Sequence, residues 1–303
     1  MKAVITGGAG FIGSHLALEL IERNMEVIII DNLSTGNIEH VPAASGFVHL
    51  DLSDHDNIDK ITEAMQGATY VFHLAAMARV QPSIKNPLTY HKNNVNATIQ
   101  VLHAAHQAKV KRLIFSSSSS VYGRIIEMPL REDMVPLPSS PYGLQKWIGE
   151  HYAKLYSTCY GLETVSLRYF NVFGERQSQS PGNSQVMSIF SKAKREGKKL
   201  TITNDGNQRR DFVYVKDVVY ANLLASASAH VGRGEVINIG SGENISLNQL
   251  ADLFGGEREY IGKVDEPFET LANINLAMEL LKWKPDMKLE TWIERNKISL
   301  GIG

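Results

Sequence analysis

The stretch KAVITGGAGFIGSHLALELIERN, residues 2–24, decides how this chain folds. Residues 2–6 are a short β-branched run and read as a strand. Residues 11–24 put Ile12, Leu16, Ala17 and Leu20 on one helical face. Between them, Gly7, Gly10 and Gly13 recur every three residues, and Gly8, Gly10 and Gly13 fit G-x-G-x-x-G. Glycines at a strand-to-helix junction allow a tight turn, close approach of a pyrophosphate, and contact between helix and strand. The helix then opens with free N–H groups at Phe11 and Ile12 and a dipole that favours negative charge. A plain turn is the simpler reading of the glycines alone, and the next strand argues against it. EVIIID (26–31) is apolar throughout and ends in Asp31, 18 residues beyond Gly13. An acid there accepts hydrogen bonds from both hydroxyls of an adenosine ribose and repels a 2′-phosphate, so NAD is expected over NADP. Asn32 follows it at the rim, and a capping or surface role is the alternative for Asp31.

Working outward, the alternation continues. FVHLD (47–51) is a third strand, a helix is expected near 55–66, and TYVFHLAA (69–76) is a fourth strand. A long helical pattern covers about 87–108, KRLIFSSS (111–118) follows, then a helix from Tyr142 to about Tyr156, then TVSLRYF (164–170). Apolar strands separated by helices imply a parallel sheet covered on both faces. The expected fold is therefore α/β: a doubly wound, Rossmann-like, NAD-binding sheet whose ligands sit at the carboxyl ends of the strands. Beyond residue 170 the pattern loosens. GERQSQSPGNSQ (174–185) reads as a polar loop, followed by a helix near 186–196, LTIT (200–203), DFVYV (211–215), a helix at 216–228, EVINIG (235–240) and LAMELLKW (276–283). The division expected is a cofactor domain at 1–170, with 211–240 returning to it, and a smaller, interleaved α/β substrate domain over 171–303.

The chain has 303 residues, 43% of them apolar and 21% charged, which fits a globular protein. With 31 basic and 32 acidic residues the net charge is −1, so no electrostatic case exists for nucleic acid or an anionic membrane as partner. Cys159 is the single cysteine. It excludes an internal disulfide, fits a reducing cytoplasm, and reads as a packing residue near a helix end. MKAVIT runs straight into glycines without the apolar core of a signal peptide, and no stretch reaches transmembrane length. The 10 histidines show no ligand spacing, so no metal is expected, and His73 in an apolar strand reads as a satisfied core residue.

FSSSSSVYG (115–123) poses the chemical question. Five serines usually mark a flexible linker. These end an apolar strand on the side where the cleft is expected. Tyr142 opens YGLQK, with Lys146 four residues on and hence on the same helical face. A phenol ionises at about pH 10, so service as a base near pH 7 needs a shift of roughly 3 units, about 4 kcal/mol. One cation at about 4 Å in an effective dielectric of about 20 supplies roughly that. Lys146, aided by an oxidised nicotinamide, can thus make Tyr142 a general base. A surface i,i+4 pair is the bland alternative. Asp51 and Leu52 flank an adenine or simply close a strand-end turn. Leu74, Ala75 and Ala76 are small enough for a dinucleotide to lie flat.

TGGAGFIG, Asp31, HLAA, NNVNAT, SSSSSVYG, YGLQK and RYFNVFG together resemble the extended short-chain dehydrogenase/reductase superfamily. Within it the chain is most similar to the NAD-dependent nucleotide-sugar 4-epimerases, of the UDP-glucose (UDP-galactose) 4-epimerase type. The resemblance implies that Ser118, four residues before Tyr122, bonds the sugar 4-hydroxyl and assists Tyr142, while Lys146 holds the nicotinamide ribose. It implies further that Asn94 lies near the cofactor, Tyr169 near the nicotinamide, and Asn171 and Arg210 near the substrate diphosphate, with Arg209 a solvated neighbour. Ser116 and Ser117 are structural. The family's arginine-proline-glycine-aspartate segment is replaced by GKVDEP (262–267), leaving Lys263 for the arginine. Thr270 aligns with the residue that gates the sugar 2-substituent, and a small side chain there leaves room for an N-acetyl group.

Ser119 and Ser120 stand where sister dehydratases and decarboxylases carry acids, which disfavours elimination and decarboxylation. The expected activity is 4-epimerisation of a UDP-sugar through a transient 4-keto sugar, in a cytoplasmic homodimer. A 4,6-dehydratase or another NAD-dependent nucleotide-sugar enzyme is the alternative, and a non-catalytic NAD-binding regulator a more distant one.

Overall fold

A computed structural model describes residues 1–177 and 185–302; most of the loop expected over 174–185 lies outside the described residues. Its strands in chain order are β1 (Lys2–Thr6), β2 (Glu26–Asp31), β3 (Gly46–His49), β4 (Tyr70–His73), β5 (Arg112–Ser118), β6 (Glu163–Tyr169), β7 (Asn171–Phe173), β8 (Leu200–Thr203), β9 (Arg209–Arg210), β10 (Phe212–Tyr214), β11 (Arg233–Ile239), β12 (Ile245–Ser246) and β13 (Arg258–Ile261). The helices used below are α1 (Phe11–Glu22), α2 (Ile58–Met65), α3 (Val80–Lys85), α4 (Pro87–His91), α5 (Ala97–Gln107), α6 (Pro141–Tyr160), α7 (Val186–Arg195), α8 (Val215–Ala227) and α9 (Leu247–Phe254).

Seven strands form one sheet in the order β11-β6-β5-β4-β1-β2-β3. Every neighbouring pair in it is parallel. The chain runs outward from β1 to β3, then returns to the other side of β1 and runs outward again from β4. The reversal lies between β1 and β4, where carboxyl-end loops diverge and leave a crevice. Ala3, Val4 and Ile5 are wholly buried. Ala3 and Ile5 join Leu16, Ala17 and Leu20 of α1 in one layer, while Val4 joins Ile61 of α2 and Val101 and Leu102 of α5 in the other. That is the period-two burial of a strand covered on both faces.

The long helical pattern at 87–108 is broken into α4, a π turn at Lys92–Asn96, and α5. The extra backbone residue turns Asn93 and Asn94 to different surroundings, as described below. Helix α3 was not foreseen; its six residues carry too little periodicity to read. Cys159 is exposed. It sits in the last turn of α6 on the solvent side, not packed inside as expected. His73 is buried and satisfied: Thr6 Oγ1 lies 2.7 Å from Nδ1 and Thr98 Oγ1 2.9 Å from Nε2. Burial, with Lys146 nearby, pushes its pKa down to about 3, so the ring is neutral. Among the described residues no helix is long and apolar enough to cross a membrane.

After β6 the strands other than β11 are short and pair locally: β7 with β10, β8 with β13, and β9 with β12. Within 211–240, α8 and β11 join the large sheet, whereas β10 stays with β7. Asp211, between β9 and β10, ties this half together. Its carboxylate accepts from Ser241 N at 2.6 Å, Ser241 Oγ at 2.8 Å, Ala272 N at 3.0 Å and Gly242 N at 3.1 Å. An amide in its place turns an N–H₂ toward donors it cannot accept from. Asp211→Asn is therefore expected to lower stability by about 2–3 kcal/mol, read as a lowered urea midpoint; an unchanged midpoint would show that the carboxylate is dispensable.

Candidate active site

A cleft of about 450 Å³ opens where the strand order reverses. Its floor is the glycine loop, and its walls are the residues that follow β2, β4, β5 and β6. Gly7, Gly10, Phe11, Ile12, Gly13, Asp31, Asn32, Asp51, Leu52, Leu74, Ala75 and Ala76 all line it.

Glycine is required at Gly13, where an added Cβ would stand 2.3 Å from the Gly7 carbonyl oxygen. At Gly10 it would meet only Gly7 O, at 3.1 Å, and otherwise fill the cleft in front of the first N–H groups of α1. That cradle fits a pyrophosphate. Asp31 holds the loop from beneath: Oδ2 accepts from Ala9 N at 3.0 Å and Oδ1 from Leu33 N at 2.8 Å. Its carboxylate keeps lone pairs at the cleft, so it both caps the turn and faces a ribose. Asp51 likewise closes a turn, accepting from Ser53 N at 2.9 Å and Ser53 Oγ at 2.7 Å, while it lines the cleft.

The serine run is ordered strand. Ser117 Oγ donates to Glu150 Oε1 at 2.5 Å, and Ser116 Oγ lies 3.1 Å from Tyr169 Oη. Both are tied down, as structural serines should be. Ser118 ends β5 and caps the next turn, accepting from Ser120 N at 3.1 Å. Its hydroxyl faces Tyr142 and lowers the phenol's pKa. Tyr142 stands in the first turn of α6, where Ser140 Oγ accepts from Gly143 N at 3.1 Å and Pro141 sets the helix start. Ser118, Tyr142, Lys146, Tyr169 and Asn171 line the same cleft as the glycine loop.

The electrostatics differ from the sequence expectation. Lys146 is buried at 4% exposure; it donates to Ser116 O at 2.7 Å and sits 5.0 Å from the centre of the Phe115 ring. Burial, opposed by Glu150, pushes its pKa down to about 7. Burial also raises the Tyr142 phenol, opposed first by the Ser118 hydroxyl and then by the charge of Arg79. Lys146 is drawn to the strand carbonyl because an ammonium buried among apolar groups takes the nearest acceptor.

Other expectations are also revised. Asn94 is buried and absent from the cleft wall; Oδ1 accepts from Met77 N at 2.8 Å, and Nδ2 donates to Met77 O at 3.0 Å and Gln145 Oε1 at 2.8 Å. It braces the wall from behind, and its neighbour Asn93 faces the cleft. The Tyr169 hydroxyl donates to Asn222 Oδ1 at 2.9 Å, so the ring edge rather than the hydroxyl is offered to a ligand. Arg210, Lys263 and Thr270 are not part of the cleft wall. Arg210 Nη2 lies 2.7 Å from Glu266 Oε2, Lys263 is exposed, and Thr270 Oγ1 accepts from Asp211 N at 3.4 Å. Arg209 is not solvated: it donates to Asn244 Oδ1 at 2.8 Å and Asn244 O at 2.7 Å. Arg79, Asn93 and Gln185 line the cleft and were missed. A charged residue closing the small-residue run LAAMAR was the available signal for Arg79.

Residues 3–240 match the model of the NAD dependent epimerase/dehydratase family. Among solved structures, the chain resembles the UDP-glucose 4-epimerase of Thermotoga maritima, determined with UDP-glucose, at 36% identity and a TM-score of 0.92, covering 100% of this chain and 97% of that one. It resembles the UDP-N-acetylglucosamine 4-epimerase of Methanobrevibacter ruminantium, determined with UDP-N-acetylmuramic acid, at 36% identity and 0.88, covering 99% and 96%. It also resembles the UDP-glucose 4-epimerase of Thermus thermophilus, determined with NAD, at 31% identity and 0.88, covering 100% and 97%.

The state of Lys146 has a measurable consequence. Its folded pKa is about 7 against an ordinary 10.5. Between those values the unfolded chain holds a proton that the folded one lacks, so stability rises with pH across that window. The NAD-free wild type is expected to gain stability over Lys146→Met from pH 7 to pH 10, at most on the order of 1.4 kcal/mol per pH unit. Parallel urea curves at both pH values measure it, and a constant difference would place the ammonium in a solvated setting.

Proposed function

The chain belongs to the NAD dependent epimerase/dehydratase family, and on that premise we propose that it inverts the 4-hydroxyl of UDP-hexoses with tightly held NAD. The observation that carries this reading is the meeting of Ser118, Tyr142 and Lys146 with the glycine loop in one cleft. UDP-glucose and UDP-galactose are the default pair, with the N-acetyl analogues admitted.

Tyr142 takes the proton of the sugar 4-hydroxyl, and Ser118 holds that oxygen in place. NAD, when bound, supplies an acceptor for hydride from carbon 4 and a donor that returns it to the opposite face. Gly7, Gly10, Gly13 and the opening of α1 hold its pyrophosphate, Asp31 its adenosine ribose, and Lys146 its nicotinamide ribose. The protein keeps water and competing acids away from the 4-keto sugar. Ser119 and Ser120 carry hydroxyls far too weakly acidic to act as the general acid that elimination needs, which supports epimerisation over elimination. On the substrate side, Arg210 and Lys263 serve the diphosphate, Asn171 stands between it and the nicotinamide, and Thr270 lies toward the 2-substituent. Arg210 reaches that role by exchanging the Glu266 carboxylate for phosphate oxygens.

The enzyme works in the cytoplasm as a homodimer joined through α4, α5 and α6. An apolar stripe on α6 supports this: Leu144 and Leu155 are 43% and 45% exposed, with Trp147 and His151 at helical spacing between them. Leu88 on α4 is 84% exposed.

Two measurements test the reading. Purified protein given UDP-galactose or UDP-N-acetylglucosamine, without added NAD, is expected to produce the 4-epimer of at least one, with no steady change in nicotinamide absorbance. Tyr142→Phe then loses about 10²–10⁴ in kcat. Inertness toward both sugars, or continuous release of reduced cofactor, contradicts it. For assembly, the Leu144→Glu/Leu155→Glu double variant is expected to run as a monomer in light scattering while the wild type runs as a dimer; equal masses would reject this interface.

A further inference from the structure

Arg79 is a cleft-lining charge that none of the roles above employs. It follows the small residues after β4 and immediately precedes α3. Its carbonyl accepts from Ser83 N at 3.4 Å. Ser83 Oγ in turn donates to Val80 O at 2.6 Å and accepts from Tyr142 N at 3.2 Å. One hydroxyl therefore pins the first turn of α3 to the first turn of α6, and it fixes the Arg79 backbone relative to Tyr142. Both side chains face the same cleft. The Gln185 carboxamide, in the orientation that satisfies both its ends, accepts from Arg79 Nη1 at 3.2 Å, holding the guanidinium toward the cleft.

The charges around the phenol divide unequally. On α6 are Lys146, drawn to Ser116 O, and Glu150. Glu150 is engaged by Arg168 of β6 in a two-bond pair at 2.8 Å for each contact, so the two largely cancel. Tyr90 of α4 and Tyr169 of β6 are neutral phenols whose pKa values burial raises. Ser118 of β5 contributes a hydroxyl. Arg79, at the start of α3, is a positive charge that faces the phenol across the cleft and lowers its pKa. The two groups interact in both directions: burial lowers the guanidinium's pKa and the phenols of Tyr142 and Tyr90 oppose it, while burial raises the Tyr142 phenol and Ser118 and then Arg79 oppose that.

We propose that Arg79 acts through Tyr142, its guanidinium stabilising the phenolate form of the base alongside Lys146. Lys146 then serves chiefly the strand carbonyl and the cofactor ribose, and Arg79 supplies a charge that does not titrate near neutrality. This inference rests on Tyr142 being the base in epimerisation.

The test is the pH profile of kcat/KM for UDP-sugar epimerisation by the NAD-loaded wild type, Arg79→Met and Arg79→Lys. Arg79→Met is expected to move the acid limb up by about one pH unit, a loss of about tenfold at pH 7, with KM little changed. Arg79→Lys restores most of the limb. A uniform loss with the limb unmoved overturns the proposal. So does a loss confined to UDP-glucuronic acid with UDP-glucose unaffected, which would make Arg79 a reader of sugar carboxylates. A second readout needs no turnover: ultraviolet titration of phenolate absorbance, taken as the difference between Tyr142-containing and Tyr142→Phe protein. The Tyr142 midpoint is expected to rise when Arg79 is replaced by Met, and an unchanged midpoint rejects the inference. An inactive wild type with a midpoint that responds to Arg79 would instead reject the epimerase reading and leave the electrostatic coupling standing.

Discussion

A parallel sheet with helices on both faces leaves polar chemistry only at its ends. Every feature of the site follows from that constraint. Ala3, Val4 and Ile5 have no exposed surface, so β1 meets water only at its two ends. At the carboxyl end the chain must turn, and the reversal of strand order between β1 and β4 keeps the adjoining loops apart. Even the switch point is filled carefully. Thr6 and Thr98 bracket a neutral His73, and Thr6 Oγ1 also accepts from Ala75 N at 3.3 Å. A charged ring there would have had no counterion inside the sheet.

The same constraint explains the serines. A strand end that faces a cleft needs side chains small enough to leave room and polar enough to be satisfied. Ser116 reaches Tyr169, Ser117 reaches Glu150, and Ser118 is left at the tip facing the phenol. Glu150 is the link between chemistry and scaffold. It receives Ser117 from β5 and Arg168 from β6 while it rides on α6 one turn beyond Lys146. Arg168 also lies 4.7 Å from the centre of the Tyr122 ring. Such a pair is expensive to bury and adds little net stability, but removing either partner strands the other. Its effect is to fix the register of α6 against the serine-bearing strand.

The second half of the chain is organised by two carboxylates instead of a long sheet. Asp211 gathers four donors from the segments at 241–242 and 272. Glu266 gathers Arg210, Gln208, Thr203 and Asn204. Short strands of two to four residues carry few ladder bonds, so side-chain acceptors take up the work of holding loops in place.

How much of this was legible depends on the range of the interactions. The glycine loop, Asp31, the alternation of strands and helices, the serine-rich strand end, and the shared helical face of Tyr142 and Lys146 rest on local rules: turn conformation, helical spacing, the position of a residue at a strand end. A sequence carries those directly. Ser118 was singled out among the serines by family resemblance. Cys159 was misplaced because amphipathic spacing is weak in the last turn of a helix. That Asn93 lines the cleft while Asn94 braces it from behind was not legible, because a π turn shifts the facing of a helix without marking the sequence. The direction of Lys146, the capture of Arg210 by Glu266 and the arrival of Arg79 beside Tyr142 all join residues distant in the chain, at least in two of the three cases by more than fifty positions. Local chemistry thus determined which groups exist at each strand tip. Only the folded packing decided which charge faces which, because a buried charge takes the nearest partner in space, whatever its place in the chain.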